Sequence, residues 1–193
     1  MLKKKLSTFA QVRALEGRNA IAFSVALLDR MVPNYQLFCE VTEYGDPSVL
    51  THCLSLMWEV LGNPKSKVNF ATQLEKVEEA TPDTSDFDTY GVYPAIDAAI
   101  AMSATISLIL KDDPQGAVVV SKLSQGSVEA YLLATDEATD ETVKSHPLME
   151  FEIAIQQELL DTVQSDKPWL EKLKLLKDIA ASEGISNIGI ARD

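Results

Sequence analysis

Between Pro94 and Leu110 the chain carries a single charged side chain, Asp97. A stretch this apolar is either a membrane span or a helix at the centre of a globular core, and the rest of the fold depends on which. As a helix rising about 1.5 Å per residue it covers roughly 25 Å, short of a bilayer core of about 30 Å. Its flanks hold Asp86, Asp88, Asp112 and Asp113 against the lone basic Lys111, whereas membrane helices favour Lys and Arg there. The expectation is a buried central helix, with Ile96, Ile100 and Ala101 inside. A second run, Ala20 to Met31, is apolar nearly all round and should be its partner. Pro33 disfavours α conformation at Val32, so the first of these helices is expected to stop there and a new one to run to about Tyr44.

Helix-start chemistry recurs along the chain. Asp46-Pro47 and Asp113-Pro114 each pair a capping residue with a first-turn proline; Asp166 precedes Pro168, and His146 precedes Pro147. Gly45, Gly62 followed by Pro64, Pro82 and Gly184 read as stops. Between these signals the period is helical. Val49, Cys53, Leu56, Met57 and Val60 share one arc. Val120, Leu123, Val128 and Tyr131 face inward while Lys122, Gln125 and Glu129 face out. Leu148, Phe151, Ile155 and Leu159 form a stripe, as do Trp169, Leu173, Leu176 and Ala180. Strand signals are poor: Val118 to Val120 is β-branched but lies inside a helical pattern. Thr81 to Asp88 and Thr135 to Ser145 read as loops, the second with room for a short helix over Thr139 to Val143. The tail from Gly184 to Ile190 can be extended and dock on the core. The expected fold is one all-α domain over residues 1–193, a bundle of about eight helices around the two apolar ones.

Composition narrows function mainly by exclusion. The net charge is −12, with 29 acidic residues against 17 basic ones. Such a surface repels phosphate backbones and anionic lipid, so neither nucleic acid nor membrane is an expected partner. Acidity is explained most simply by solubility, and a basic protein or small cationic ligand is the sharper reading. The basic start, Met1 to Leu6, imitates a signal peptide, but Arg13 interrupts the weak apolar stretch and no small-residue cleavage site follows, which points to a cytoplasmic protein. Cys39 and Cys53 form no CxxC pair and read as reduced core thiols. No dinucleotide, P-loop, zincin, nucleophile-elbow or EF-hand pattern occurs, and the two histidines, His52 and His146, cannot supply a histidine-rich centre. No metal and no cofactor is expected. His52 reads as a half-exposed surface residue and His146 as a local structural residue at a helix start.

Asp97 is the most unusual charge. A carboxylate in so apolar a helix must be hydrogen-bonded, paired or protonated. Placed in the first turn after Pro94, it would meet free N–H groups and the positive end of the helix dipole, and this structural reading outweighs a catalytic one. Glu152 and Gln156 border the stripe of their helix and are expected to be solvated flanks. The loop Asp86 to Pro94 crowds three aromatic rings, two acids and a glycine at a helix start. Its rings either plug the bundle or serve recognition. Asp86, Asp88, Tyr90, Tyr93 and Asp97 are therefore the candidate ligand-binding residues, suited to an ammonium or guanidinium group. Two function classes follow. One is a non-catalytic binding protein for a protein or small cationic ligand. The other is an enzyme with a carboxylate site drawn from Glu75, Asp86, Asp88 or Asp97, with or without a divalent metal.

Five segments also carry a resemblance: Arg30-Met31-x-Pro33-Asn34-Tyr35 with Phe38-Cys39; Val68-Asn69-Phe70; Gln73-Leu74-Glu75-Lys76; Asp86-Phe87-Asp88 and Tyr90 through Ala98; and Ser186-Asn187-Ile188-Gly189-Ile190. In this order, over essentially the whole chain, the sequence resembles the YjaG-like family of bacterial proteins, a domain of unknown function. The resemblance implies a cytosolic helical protein and transfers no activity or catalytic residue.

Overall fold

Eight α-helices form among residues 6–192, which the computed structural model describes: α1 (Thr8–Arg13), α2 (Gly17–Thr42), α3 (Ser48–Gly62), α4 (Phe70–Glu79), α5 (Val92–Leu110), α6 (Gly116–Ala134), α7 (Pro147–Gln164) and α8 (Trp169–Ala180). The described residues contain no strand, only an isolated bridge between Ile185 and Ala191 in the tail. The basic residues Lys3 to Lys5 lie outside the described range.

The helix starts follow the residues that signal them. Asp46 Oδ1 accepts from the Ser48 amide at 2.9 Å, and Asp113 Oδ1 from the Gln115 amide at 2.8 Å. His146 caps α7, its Nδ1 accepting from the Leu148 amide at 3.2 Å. Each side chain satisfies an amide that the helix leaves without a partner. His52 is exposed, and both cysteines are buried and free.

Helix α2 runs through the centre and packs against α3, α5, α6, α7 and α8, while α5 lies against α2, α4 and α6. By length and composition α5 could cross a membrane; here one side of it, including Ala95, Ala98, Ala99, Met102 and Ile106, is buried against those neighbours. Contrary to the sequence expectation, Ile100 is 44% exposed. The apolar surface of α5 exceeds what its neighbours cover, and Ile100 falls on the open side with Tyr93. Contact between α5 and α6 is close because Gly116 has no side chain: a Cβ there would sit 2.6 Å from the Ala104 carbonyl oxygen.

Pro33 does not end the helix either. α2 continues through it to Thr42. An internal proline costs about 3 kcal/mol, but Met31, Val32, Asn34, Tyr35 and Phe38 are all buried, and that packing outweighs the local preference. One turn upstream, the Arg30 carbonyl accepts from the Asn187 amide at 3.1 Å, outside the helix ladder. Over Thr139 to Val143 the expected short helix is replaced by a turn and a single 3₁₀ turn, Val143–Ser145.

Candidate ligand-binding groove and a buried polar cluster

The loop before α5 divides its aromatic residues between two tasks. Phe87 plugs the bundle. Its ring centroid lies 4.9 Å from that of Phe38 and 5.4 Å from that of Tyr44, both edge-on, the arrangement aromatic pairs favour. Tyr90 and Tyr93 turn the other way, with centroids 5.7 Å apart, at the mouth of a groove of about 650 Å³ between α5 and α6. Tyr93 is 52% exposed. Asp97, Lys122, Leu123 and Gly126 complete the walls. The Lys122 ammonium lies over the Phe9 ring, 5.8 Å from its centroid.

Asp97 lies in the second turn of α5, because the helix begins at Val92 and not at Pro94. It is therefore beyond the amides that a cap would satisfy, which corrects the first-turn placement. Its carboxyl is half-buried and lifted to about 6, mainly by burial and partly offset by the Ser127 hydroxyl that faces it. Among the described residues no Lys or Arg comes within salt-bridge range of it. The groove thus gathers Tyr90, Tyr93 and Asp97. Asp86 and Asp88 are exposed in the preceding loop and do not line it, and Glu75 is exposed on α4.

A second polar assembly was missed by sequence reasoning. Glu152 and Gln156, expected to be solvated flanks, are wholly buried. They meet the serine face of α6: Ser124 Oγ donates to Glu152 Oε1, Ser121 Oγ donates to Gln156 Oε1 at 2.6 Å, and Gln156 Nε2 donates to Glu152 Oε1 at 2.9 Å. Arg30 of α2, also wholly buried, places Nε 3.8 Å from Glu152 Oε2 and its guanidinium 5.4 Å from the Phe151 ring centroid. Burial raises the Glu152 carboxyl, opposed first by Arg30 and then by Ser124 and Gln156. The tail closes the cluster. Asn187 Nδ2 donates to the Ser124 carbonyl at 3.1 Å, and Asn34 Nδ2 donates to Asn187 Oδ1 at 2.8 Å. Among the described residues, the buried side-chain atoms lacking a hydrogen-bond partner belong to Arg30, Asn34, Ser127 and Glu152. The signal for this cluster was present. An arc drawn through Met149, Leu159, Leu160 and Val163, all buried, has Glu152 and Gln156 inside it.

The family described as "Protein of unknown function (DUF416)" matches residues 7–191. The chain belongs to the DUF416 family. The uncharacterised YjaG proteins of Salmonella typhimurium and Escherichia coli K12 are 41% and 40% identical to it, each match covering 93% of this chain and 94% of the relative. An uncharacterised protein of Haemophilus influenzae is 34% identical over 182 residues, 91% of this chain and 92% of the relative. A DUF416 protein from Shewanella baltica, whose crystal structure was solved at 1.91 Å, superimposes with a TM-score of 0.89 at 39% identity, covering 97% of this chain and 100% of that one. In this DUF416 chain, three of the five segments that carried the family resemblance, those around Arg30, Tyr90 and Asn187, pack together or meet in the groove. Arg30 and Asn34 meet Asn187 in the buried cluster, Phe38 meets Phe87 in the aromatic plug, and Tyr90, Tyr93 and Asp97 meet in the groove.

Proposed function

We propose that this DUF416 protein is a non-catalytic binding protein of the bacterial cytoplasm that recognises a cationic group in the α5–α6 groove. The observation that carries the reading is the convergence of two tyrosine rings and a half-buried carboxyl without a basic partner among the described residues. Tyrosine faces attract ammonium and guanidinium groups, and a carboxylate withdrawn from water binds them more strongly than an exposed one. A bound cation also favours the ionised form that burial disfavours, so cation binding and proton release from Asp97 are linked. The net charge of −12 draws cations toward the surface at long range.

Ligand-observed NMR with arginine methyl ester as the probe, and propionate as the anionic control, tests the reading. The ester is expected to bind and propionate not to. Asp97→Asn and Tyr93→Ala should each weaken ester binding at least tenfold while leaving the helical circular dichroism unchanged. Equal binding by wild type and both variants would place cation recognition elsewhere.

A further inference from the structure

The groove has a neighbour on the far side of Tyr90. A cavity of about 260 Å³ lies between α2, the start of α5 and the tail, with Phe38, Val41, Pro94, Ile188 and Ile190 among its walls. Tyr90 lines both spaces. Its ring centroid lies 5.7 Å from that of Tyr93 on the groove side and 6.3 Å from that of Tyr131 on the cavity side, both pairs tilted. Two of the polar side chains in the cavity wall donate elsewhere, although Asn34 Oδ1 is buried without a partner. Thr42 Oγ1 donates to the Phe38 carbonyl at 2.7 Å, and Asn34 Nδ2 donates to Asn187 Oδ1. The rim is open, since Val41 is 69% exposed. The cavity exceeds the roughly 150 Å³ that holds a benzene molecule in an apolar interior.

We infer that groove and cavity are two halves of one site, and that the ligand class is an amphiphilic primary amine whose ammonium lies beside Asp97 and whose hydrocarbon body passes Tyr90 into the cavity. This rests on the cation reading above and adds the apolar half. The unpaired carboxyl lies on the groove side, in a wall that also holds Lys122, and the cavity side offers aliphatic and aromatic walls to the hydrocarbon. Tyr90 lines both and stands between the cation and the chain. Gly91 belongs to the cavity wall, and a Cβ there would lie 3.8 Å from Phe38 and Thr89, ordinary contact distances, at a backbone conformation any residue adopts. A larger side chain at this position would therefore occupy the cavity itself.

The test is an n-alkylamine series from propylamine to octylamine, with the matching n-alkanols, titrated into the full-length protein by calorimetry. Affinity should rise about fourfold per added methylene until the cavity is full, and each alkanol should bind at least tenfold more weakly than its amine. Gly91→Leu, which fills the cavity, and Val41→Trp, which covers its rim from an exposed helix position, should each flatten the rise in affinity from propylamine to octylamine. Because Val41 lies on the surface, its variant keeps the test valid if Gly91→Leu folds poorly. Affinity independent of chain length would overturn the two-part site and leave the cation reading standing, as would a chain-length gain that survives both variants. Failure of every amine while arginine methyl ester still binds would overturn the amphiphilic site alone, and failure of the ester as well would remove both.

Discussion

Asp97 shows how burial sets the behaviour of one residue. Its folded-state value of about 6 lies above the ordinary carboxyl value of 3.8, so between these the native state binds more protons than the unfolded one. The ionised carboxylate therefore costs stability that is fully present above pH 6, shrinks as pH falls through the window, and is absent below the unfolded value. Asp97→Asn is expected to be neutral or stabilising relative to wild type at pH 8, with the difference vanishing near pH 4. Urea denaturation of both proteins at the two values checks this, and a loss of stability at pH 8 would mean that the carboxylate makes a favourable native contact. Arg30 and Glu152 present the opposite case. Both are wholly buried and face one another, so removing either strands the other charge in the core. Arg30→Met and Glu152→Leu should each cost about 3–5 kcal/mol. The double variant should cost clearly less than the sum, a coupling that chemical denaturation of all four proteins measures.

At the scale of elements, α5 is apolar on more sides than its neighbours cover. Met102 is fully buried and Ile100 is 44% exposed, although they are two residues apart in an apolar run. Met102→Ala should cost about 2–5 kcal/mol. Ile100→Asp should cost no more than about 1 kcal/mol, near the helix-propensity difference, and thermal denaturation of the pair separates a central helix buried all round from the half-covered one seen here. α6 and α7 err in the other direction. Val120, Val128, Ile155 and Leu159 are buried as their periodicity indicates, yet the faces also bury Ser121, Ser124, Glu152 and Gln156. A pattern that sorts residues into apolar and polar assigns such side chains to solvent, because it has no means of knowing that the opposite helix presents their partners. Pro33 follows the same logic, since the burial of Met31, Val32, Asn34, Tyr35 and Phe38 around it holds a helix that local preference would break.

For the whole molecule, the dominant long-range term is like-charge repulsion. Twenty-nine acidic residues face 17 basic ones, and among the described residues three ion pairs form: Arg30–Glu152, Lys167–Glu171 and Arg192–Asp29. Salt screens the remainder. Raising sodium chloride from about 20 to 200 mM, across which the Debye length falls from roughly 20 to 7 Å, should therefore lift the melting temperature by about 2–4 °C, the shift that about 1 kcal/mol produces in a domain of this size. A fall with salt, followed by differential scanning calorimetry, would show that the exposed charges are arranged favourably despite their imbalance.

Local chemistry determined the elements. Capping by Asp46, Asp113 and His146 involves atoms two residues apart, and the 3.6-residue period is a property of each helix alone, so the all-α class and the starts of α3, α6 and α7 were legible before any tertiary contact was known, whereas the start of α5 at Val92 was not. The family resemblance was legible as well, being a matter of residue order. What required the tertiary structure was every feature made by two segments distant in the chain: the exposure of Ile100, the continuity of α2 through Pro33, the meeting of Asn34 with Asn187, and the burial of Glu152 opposite Ser124. Tyr90, Tyr93 and Asp97 could be named from the sequence as neighbours along the chain, but their groove exists only because α6 supplies the second wall. The physical reason is one of range. Backbone propensity and capping act within a turn or two of helix, whereas burial and polar pairing depend on which surface another helix brings alongside.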